Sequence, residues 1–131
     1  MAEPLKIGVA GVGTVGAALI SQIAAQRDAL TARLGRRIDV VAVTARSKKK
    51  KRGADLRKLK WHADPVSLAR DPDINVFVEL MGGEGNPAKA AIEAALASGK
   101  SVVTANKALL AKHGVALARR AEDNHVVGVH G

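Results

Sequence analysis

Gly11-Val12-Gly13-Thr14-Val15-Gly16 is a G-x-G-x-x-G run, and few patterns leave so little freedom in the architecture around them. Before it stands Leu5-Lys6-Ile7-Gly8-Val9-Ala10, a short apolar run that reads as a buried strand. After it, Val15, Leu19, Ile20, Ile23, Leu30 and Leu34 keep helical spacing. That spacing predicts one helix over residues 14 to about 34, stopped by Gly35. In this strand–turn–helix setting each glycine has a mechanical reason. Gly11 permits the tight turn, Gly13 lets the backbone approach a pyrophosphate, and Gly16 lets helix and strand pack closely. The helix N-terminus adds free N–H groups and a partial positive charge that face an anion. The run points to dinucleotide binding, with a plain tight turn as the alternative.

The rest of the chain repeats the alternation. Residues 38–44 read as a second strand, and Asp64-Pro65 opens a short helix to about residue 70, with Asp64 as N-cap. Residues 74–80 form a third strand, closed by Met81-Gly82-Gly83. Asn86-Pro87 repeats the cap-plus-proline signal; Ala88, Ala91, Ile92, Ala95 and Leu96 then make an apolar stripe that Gly99 stops. Residues 101–104 form a fourth strand, and Asn106 caps the segment after it. Gly114 is expected to divide a short turn at residues 107–112 from a helix around 115–122, and residues 126–129 suit a fifth strand. Strands alternating with helices, and strands apolar on both faces, predict a parallel α/β sheet. The expected fold is a Rossmann-type doubly wound sheet: one domain, about five strands, helices on both faces.

Composition narrows the class. The 131 residues are 47% hydrophobic and 25% charged, which suits one globular domain. Trp61 and Phe77 are the only aromatics, so the core must be built from Val, Ile, Leu and Ala, and Trp61 is expected to pack beside an adenosine edge. With no cysteine, disulfide scaffolds, zinc ribbons and cysteine nucleophiles are excluded. His62, His113, His125 and His130 have no metal-ligand spacing and are expected to be solvated or capping. No apolar run approaches the ~20 residues of a membrane span. Met1-Ala2-Glu3-Pro4-Leu5-Lys6 lacks a basic-then-apolar signal pattern, so a cytoplasmic protein is expected.

The net charge of +9 would suit a nucleic-acid binder, but its distribution argues otherwise. Residues 46–60 hold nine basic residues against one acid, Asp55, so that stretch carries +8 and the other 116 residues only +1. One loop is not a basic face, and no aromatic interleaves there for base stacking. A local anion site and a solvated loop are the readings left. At the end of the second strand an acid would bond the ribose 2′-OH of NAD, whereas a base accommodates the 2′-phosphate of NADP. The chain has Arg46-Ser47-Lys48 there: a planar fork suited to phosphate, a hydroxyl donor and a further cation. NADP is preferred on this ground, with NAD still open.

Lys107 follows the fourth strand at a helix start, where the helix dipole disfavours a cation. Open α/β sheets bind ligands at the C-terminal ends of their strands. A lysine facing a cofactor there could hold a carbonyl or alcohol oxygen and relay a proton. An ordinary helix-start lysine fits the position too.

Ile7 to Gly16, Val78-Glu79-Leu80-Met81-Gly82-Gly83, and Gly99-Lys100-Ser101-Val102-Val103-Thr104-Ala105-Asn106-Lys107-Ala108-Leu109-Leu110 together resemble the homoserine dehydrogenase family over roughly residues 5–123. The Thr-Ala-Asn-Lys-Ala-Leu-Leu block is far more specific than the glycine loop. The resemblance implies NAD(P)-dependent interconversion of L-aspartate 4-semialdehyde and L-homoserine, on the route to threonine and methionine. It implies that Thr14 and Val15 contact the pyrophosphate, that Arg46 meets the adenosine 2′ position, and that Gly82 and Gly83 belong to a loop closing over the cofactor. Thr104, Ala105 and Asn106 would lie beside the nicotinamide ribose, and Lys107 matches a lysine the family uses at its active site. Glu79 falls in the same block, where a strand-end structural role is at least as apt.

The family continues into a substrate and dimerisation domain that residues 1–131 do not include. The tail from His125 also departs from the expected Asn-Phe-Glu-Ala-like continuation. The expectation is a nucleotide-binding domain over residues 1–124 and an atypical tail over 125–131. Such a chain holds cofactor without turnover and meets the small-molecule substrate only in a full-length enzyme, whose homodimer the resemblance leaves open. The rival reading is a non-catalytic nucleotide-binding or regulatory module.

Overall fold

The computed structural model describes residues 3–45, 56, 58–83, 85–123 and 129–130. Strand β1 (Leu5–Ala10) leads through the glycine turn into α1 (Thr14–Ala25) and α2 (Arg27–Leu34), then β2 (Ile38–Thr44). Next come β3 (Lys60–Trp61), α3 (Pro65–Ala69), β4 (Val76–Glu79), α4 (Ala88–Ala97), β5 (Ser101–Thr104), α5 (Lys107–Asp123) and β6 (Val129–His130). The six strands form one sheet in the order β3-β2-β1-β4-β5-β6, every pairing parallel. This is the strand order of doubly wound dinucleotide-binding folds, with its reversal point between β1 and β4.

Because both faces of the sheet are covered, alternate strand residues enter two separate cores. On one side α3, α4 and α5 close over Phe77 and Val102 with Leu68, Ile92, Leu96, Leu109 and Leu117, all nearly or fully buried. On the other, α1 lays Ile20 and Ile23 over Ile7, Val9, Val43 and Val78. Gly8 keeps β1 close to the first core: a Cβ there would meet Ile74 Cδ1 at 2.8 Å and Leu68 Cδ1 at 2.9 Å. The β1–β2 register shifts at Ile7/Gly8, an irregularity that the alternation of the sequence does not announce.

Several local signals act as expected. Asp64 caps α3, accepting the Ser67 N–H at 2.9 Å, a bond that holds its carboxyl below the usual value. Gly35 takes the left-handed conformation (φ 70°) after α2. Asn86 Oδ1 accepts the Ala90 N–H at 3.0 Å, although Pro87 is the residue that precedes the first turn of α4.

Other expectations need correction. The predicted helix over residues 14–34 is two helices broken at Gln26, because the apolar stripe lapses between Ile23 and Leu30 and α2 buries nothing. Gly114 does not divide α5, which runs unbroken from Lys107 to Asp123. A mid-helix glycine costs ~1 kcal/mol relative to alanine, and the burial of Leu109, Leu117 and Ala121 along one face outweighs it. The sheet has one strand more than expected: β3 is two residues long and follows a basic segment, too short to show any period. The last strand pairs Val129 and His130 with Val102 and Val103, so it lies later than residues 126–129, of which 126–128 fall outside the described residues.

Candidate functional site

At the C-terminal ends of β1, β2 and β4 the chain encloses a cleft of ≈ 630 Å³. Its floor is the glycine turn, Gly11, Val12 and Gly13; Thr44, Ala45, Ala63 and Pro65 form one wall. Leu80 to Gly83, with Asn86 and Pro87, form the other. The turn is anchored between its neighbours, since Gly11 N donates to Thr44 O at 2.9 Å and Leu80 N donates to Ala10 O at 2.9 Å.

The three glycines of the turn differ in why they are glycine. Gly11 has φ 98°, and a Cβ would meet the Leu80 carbonyl carbon at 2.9 Å. At Gly16 a Cβ would sit 2.3 Å from Gly11 O, so no side chain fits under the turn. Gly13 is unlike both. Its φ is −90° in extended backbone, and among the described residues a Cβ would meet nothing within 4 Å. Gly13 precedes α1, whose first turn closes with Ala17 N donating to Gly13 O at 2.9 Å. The first N–H groups of a helix have no partner within the helix, and α1 begins directly after Gly13 on the floor of the cleft.

On the opposite wall Gly82 and Gly83 have φ 82° and 83°, a conformation side chains rarely adopt. Below them lies Glu79, completely buried at the end of β4. Glu79 Oε2 accepts the N–H groups of Met81 at 2.6 Å and Gly82 at 3.0 Å, and Oε1 accepts the Thr104 hydroxyl at 2.5 Å. Thr104 Oγ1 in turn accepts the Asn106 N–H at 2.9 Å. Asn106 caps α5 by accepting the Leu109 N–H at 3.0 Å, and its amide donates to Gly83 O.

The structure brings the predicted residues together unevenly. Gly11, Gly13, Gly82 and Gly83 line the cleft, Thr14 opens α1, and Val15 is 67% exposed on its first turn. Gly16, Thr104 and Asn106 are buried supports, while Ala105 is exposed. Lys107 is the first residue of α5, directly after Asn106. Arg46, Ser47 and Lys48 lie outside the described residues, just past Ala45 on the cleft wall.

Sequence reasoning missed a second cluster. Asp71 is buried, and its carboxylate meets His62 Nε2 at 2.7 Å, Lys60 Nζ at 3.1 Å and the Asp73 N–H at 2.8 Å. Burial alone would push the Asp71 carboxyl up, but the Asp73 N–H, the His62 ring and the Lys60 ammonium hold it down at about 2. Lys60 is raised by its bonds to Asp73 and Asp71, and Lys100 is lowered by burial, with Asp71 opposing. His62 is therefore tied to a buried carboxylate rather than solvated or capping. Its backbone also accepts the Thr44 hydroxyl at 2.9 Å and donates to Val43 O at 2.9 Å, fixing the wall that Thr44 lines. Trp61 is a packing residue of the α1-side core, its ring N–H donating to Leu56 O at 3.2 Å. No signal in the sequence joins residues 60, 62 and 71. Among the described residues no group of His, Asp and Glu is arranged to hold a metal ion, and no helix is long and apolar enough to cross a membrane.

Comparison with known proteins gives a consistent result. The family profile described as "Homoserine dehydrogenase, NAD binding domain" matches residues 11–129. The homoserine dehydrogenase of Pseudomonas aeruginosa is 36% identical over 125 residues, which is 95% of this chain and 28% of that protein. The crystal structure of a homoserine dehydrogenase from Thiobacillus denitrificans superposes with a TM-score of 0.88 at 35% identity, covering 97% of this chain and 29% of that one. A Staphylococcus aureus homoserine dehydrogenase structure gives 0.86 at 32% identity, over 97% of this chain and 32% of the other. The chain thus spans somewhat more than a quarter of the curated relatives it matches, with 28% of the Pseudomonas protein covered.

Proposed function

The chain belongs to the homoserine dehydrogenase family as its NAD-binding domain, and from that premise we propose that it holds NADP(H), with NAD the weaker ligand, in the cleft above the glycine turn. Gly13 carries this reading. Its backbone is extended and a Cβ there would meet none of the described atoms within 4 Å, so nothing among the described residues requires glycine. What requires it is a group from outside, seated on the backbone where the N–H groups of α1 begin. A pyrophosphate has the charge and size for that place.

On this reading the pyrophosphate rests against Gly11, Gly13, Thr14, Val15 and Gly16. Arg46, Ser47 and Lys48 receive the adenosine 2′-phosphate beyond Ala45. Gly82 and Gly83 bound the nicotinamide end, and the segment of Thr104, Ala105 and Asn106 lies beside it. When bound, the nicotinamide would supply the hydride exchanged with the carbonyl carbon of L-aspartate 4-semialdehyde, giving L-homoserine for threonine and methionine synthesis. Lys107 would hold the reacting oxygen and give or take its proton. Residues 1–124 form the nucleotide-binding unit, followed by the tail from residue 125.

By itself this domain is read as binding cofactor in the cytoplasm without turnover. Substrate and a homodimer belong to the longer protein; nucleic acid and membrane are no part of this reading.

A fluorescence titration with NADPH and, separately, NADH tests the proposal. NADPH is expected to bind at least tenfold tighter, a gap of ~1.4 kcal/mol that Arg46→Ala should abolish. Equal affinities would return Arg46 to a solvated loop. Binding of neither would overturn the assignment.

A further inference from the structure

The backbone ladder between β4 and β5 ends at the Glu79–Thr104 pair, with Ala105 N donating to Glu79 O at 3.2 Å as its last rung. Beyond that rung two loops leave the sheet side by side. One, Met81 to Gly83, lines the cleft; the other, Ala105 and Asn106, leads to Lys107 at the start of α5. Past the ladder, their described hydrogen bonds to each other run through three side chains, and those bonds close a ring. Glu79 grips Met81 and Gly82, Gly83 receives the Asn106 amide, the Asn106 N–H reaches Thr104, and the Thr104 hydroxyl returns to Glu79.

The direction of each bond matters. Because Thr104 Oγ1 accepts from Asn106, its own hydrogen is committed to Glu79. All three described partners of the Glu79 side chain therefore donate to it. Charge-assisted bonds to a buried carboxylate are short and strong, and a buried ring that loses one member leaves the others unsatisfied. Two glycines with positive φ, which gain no rigidity from side chains of their own, sit on this ring.

We propose that Glu79 and Thr104 are positioning residues that lock the Met81–Gly83 wall and the start of α5 into one unit, so that the nicotinamide-side wall and Lys107 keep a fixed separation. The part of this that concerns cofactor rests on the dinucleotide reading above. Neither residue touches the cleft; each acts through the loops it ties.

The test uses the whole chain with Glu79→Gln, Thr104→Val and Thr104→Ser. Without any ligand, amide hydrogen exchange followed by NMR reads the coupling. Thr104→Val is expected to speed exchange at Met81 and Gly82, on the other loop, at least tenfold, and Thr104→Ser to restore protection. With ligand, Glu79→Gln and Thr104→Val are expected to weaken NADPH at least tenfold while leaving adenosine 2′,5′-bisphosphate, which lacks the nicotinamide half, within twofold of wild type. Unchanged exchange at Met81 and Gly82 in Thr104→Val overturns the proposal. So does an equal loss of both ligands, which would make the ring a support of the whole fold. If Glu79→Gln does not fold, the two Thr104 variants decide. Coupled exchange in a chain that binds neither ligand supports the ring and overturns the dinucleotide reading instead.

Discussion

Within one six-residue turn, three glycines separate the demands of folding from those of binding. A methyl at Gly16 would drive into the Gly11 carbonyl at 2.3 Å, so Gly16→Ala forces backbone to move. Such overpacking costs roughly 1–3 kcal/mol, and thermal unfolding of Gly16→Ala should show it as a lowered Tm. Gly13→Ala is expected to behave oppositely. Reduced freedom of the unfolded chain and loss of glycine's preference for the N-cap oppose each other, so stability should stay within about 1 kcal/mol of wild type. NADPH affinity should nonetheless fall at least tenfold, because the methyl enters the space assigned to the pyrophosphate. A Gly13→Ala chain that binds NADPH like wild type would remove the main support for the cofactor reading.

Among the elements, β3 shows how a two-residue strand is held. Lys60, its first residue, and His62, just after it, both reach Asp71, which precedes β4, so the sheet edge is pinned by these side chains rather than by ladder length. The Asp71 carboxyl titrates at about 2 in the fold against the ordinary 3.8. A depressed folded-state value means stability that is in place above about pH 4 and lost as pH falls toward 2, on the order of 2 kcal/mol. Asp71→Asn should therefore lower the Tm at neutral pH and flatten its decline between about pH 4 and 2. Tm measured across that range in both proteins checks this; identical acid limbs would exclude Asp71 as a contributor. The same scale explains α5. Its continuity through Gly114 comes from a buried face and from the Arg120–Glu93 pair at 3.0 Å that ties it to α4, not from local propensity.

For the whole molecule, the proposed division of labour has a direct consequence. Supplied with L-homoserine and NADP+, this chain should form NADPH no faster than the uncatalysed background, while NADPH binding persists. Clear turnover at low protein concentration would refute the reading of a cofactor-holding domain. Much of this molecule is legible in its sequence, because the legible parts are local. A helix cap acts over three residues, a glycine turn over six, and apolar period over one or two turns, so the alternation of strands and helices, the dinucleotide turn and the Asp64 cap could be read directly. The unreadable parts join distant residues. Glu79 meets Thr104 across 25 positions and Lys60 meets Asp71 across 11, and neither pair leaves a spacing to find. Local pattern thus determined which fold forms and where the cofactor turn lies. Only packing in three dimensions decided that α5 passes through its glycine, that a two-residue strand holds the sheet edge, and that Gly13, alone of the three turn glycines, has no described residue where its Cβ would stand. Each of these depends on what lies across a gap rather than along the chain.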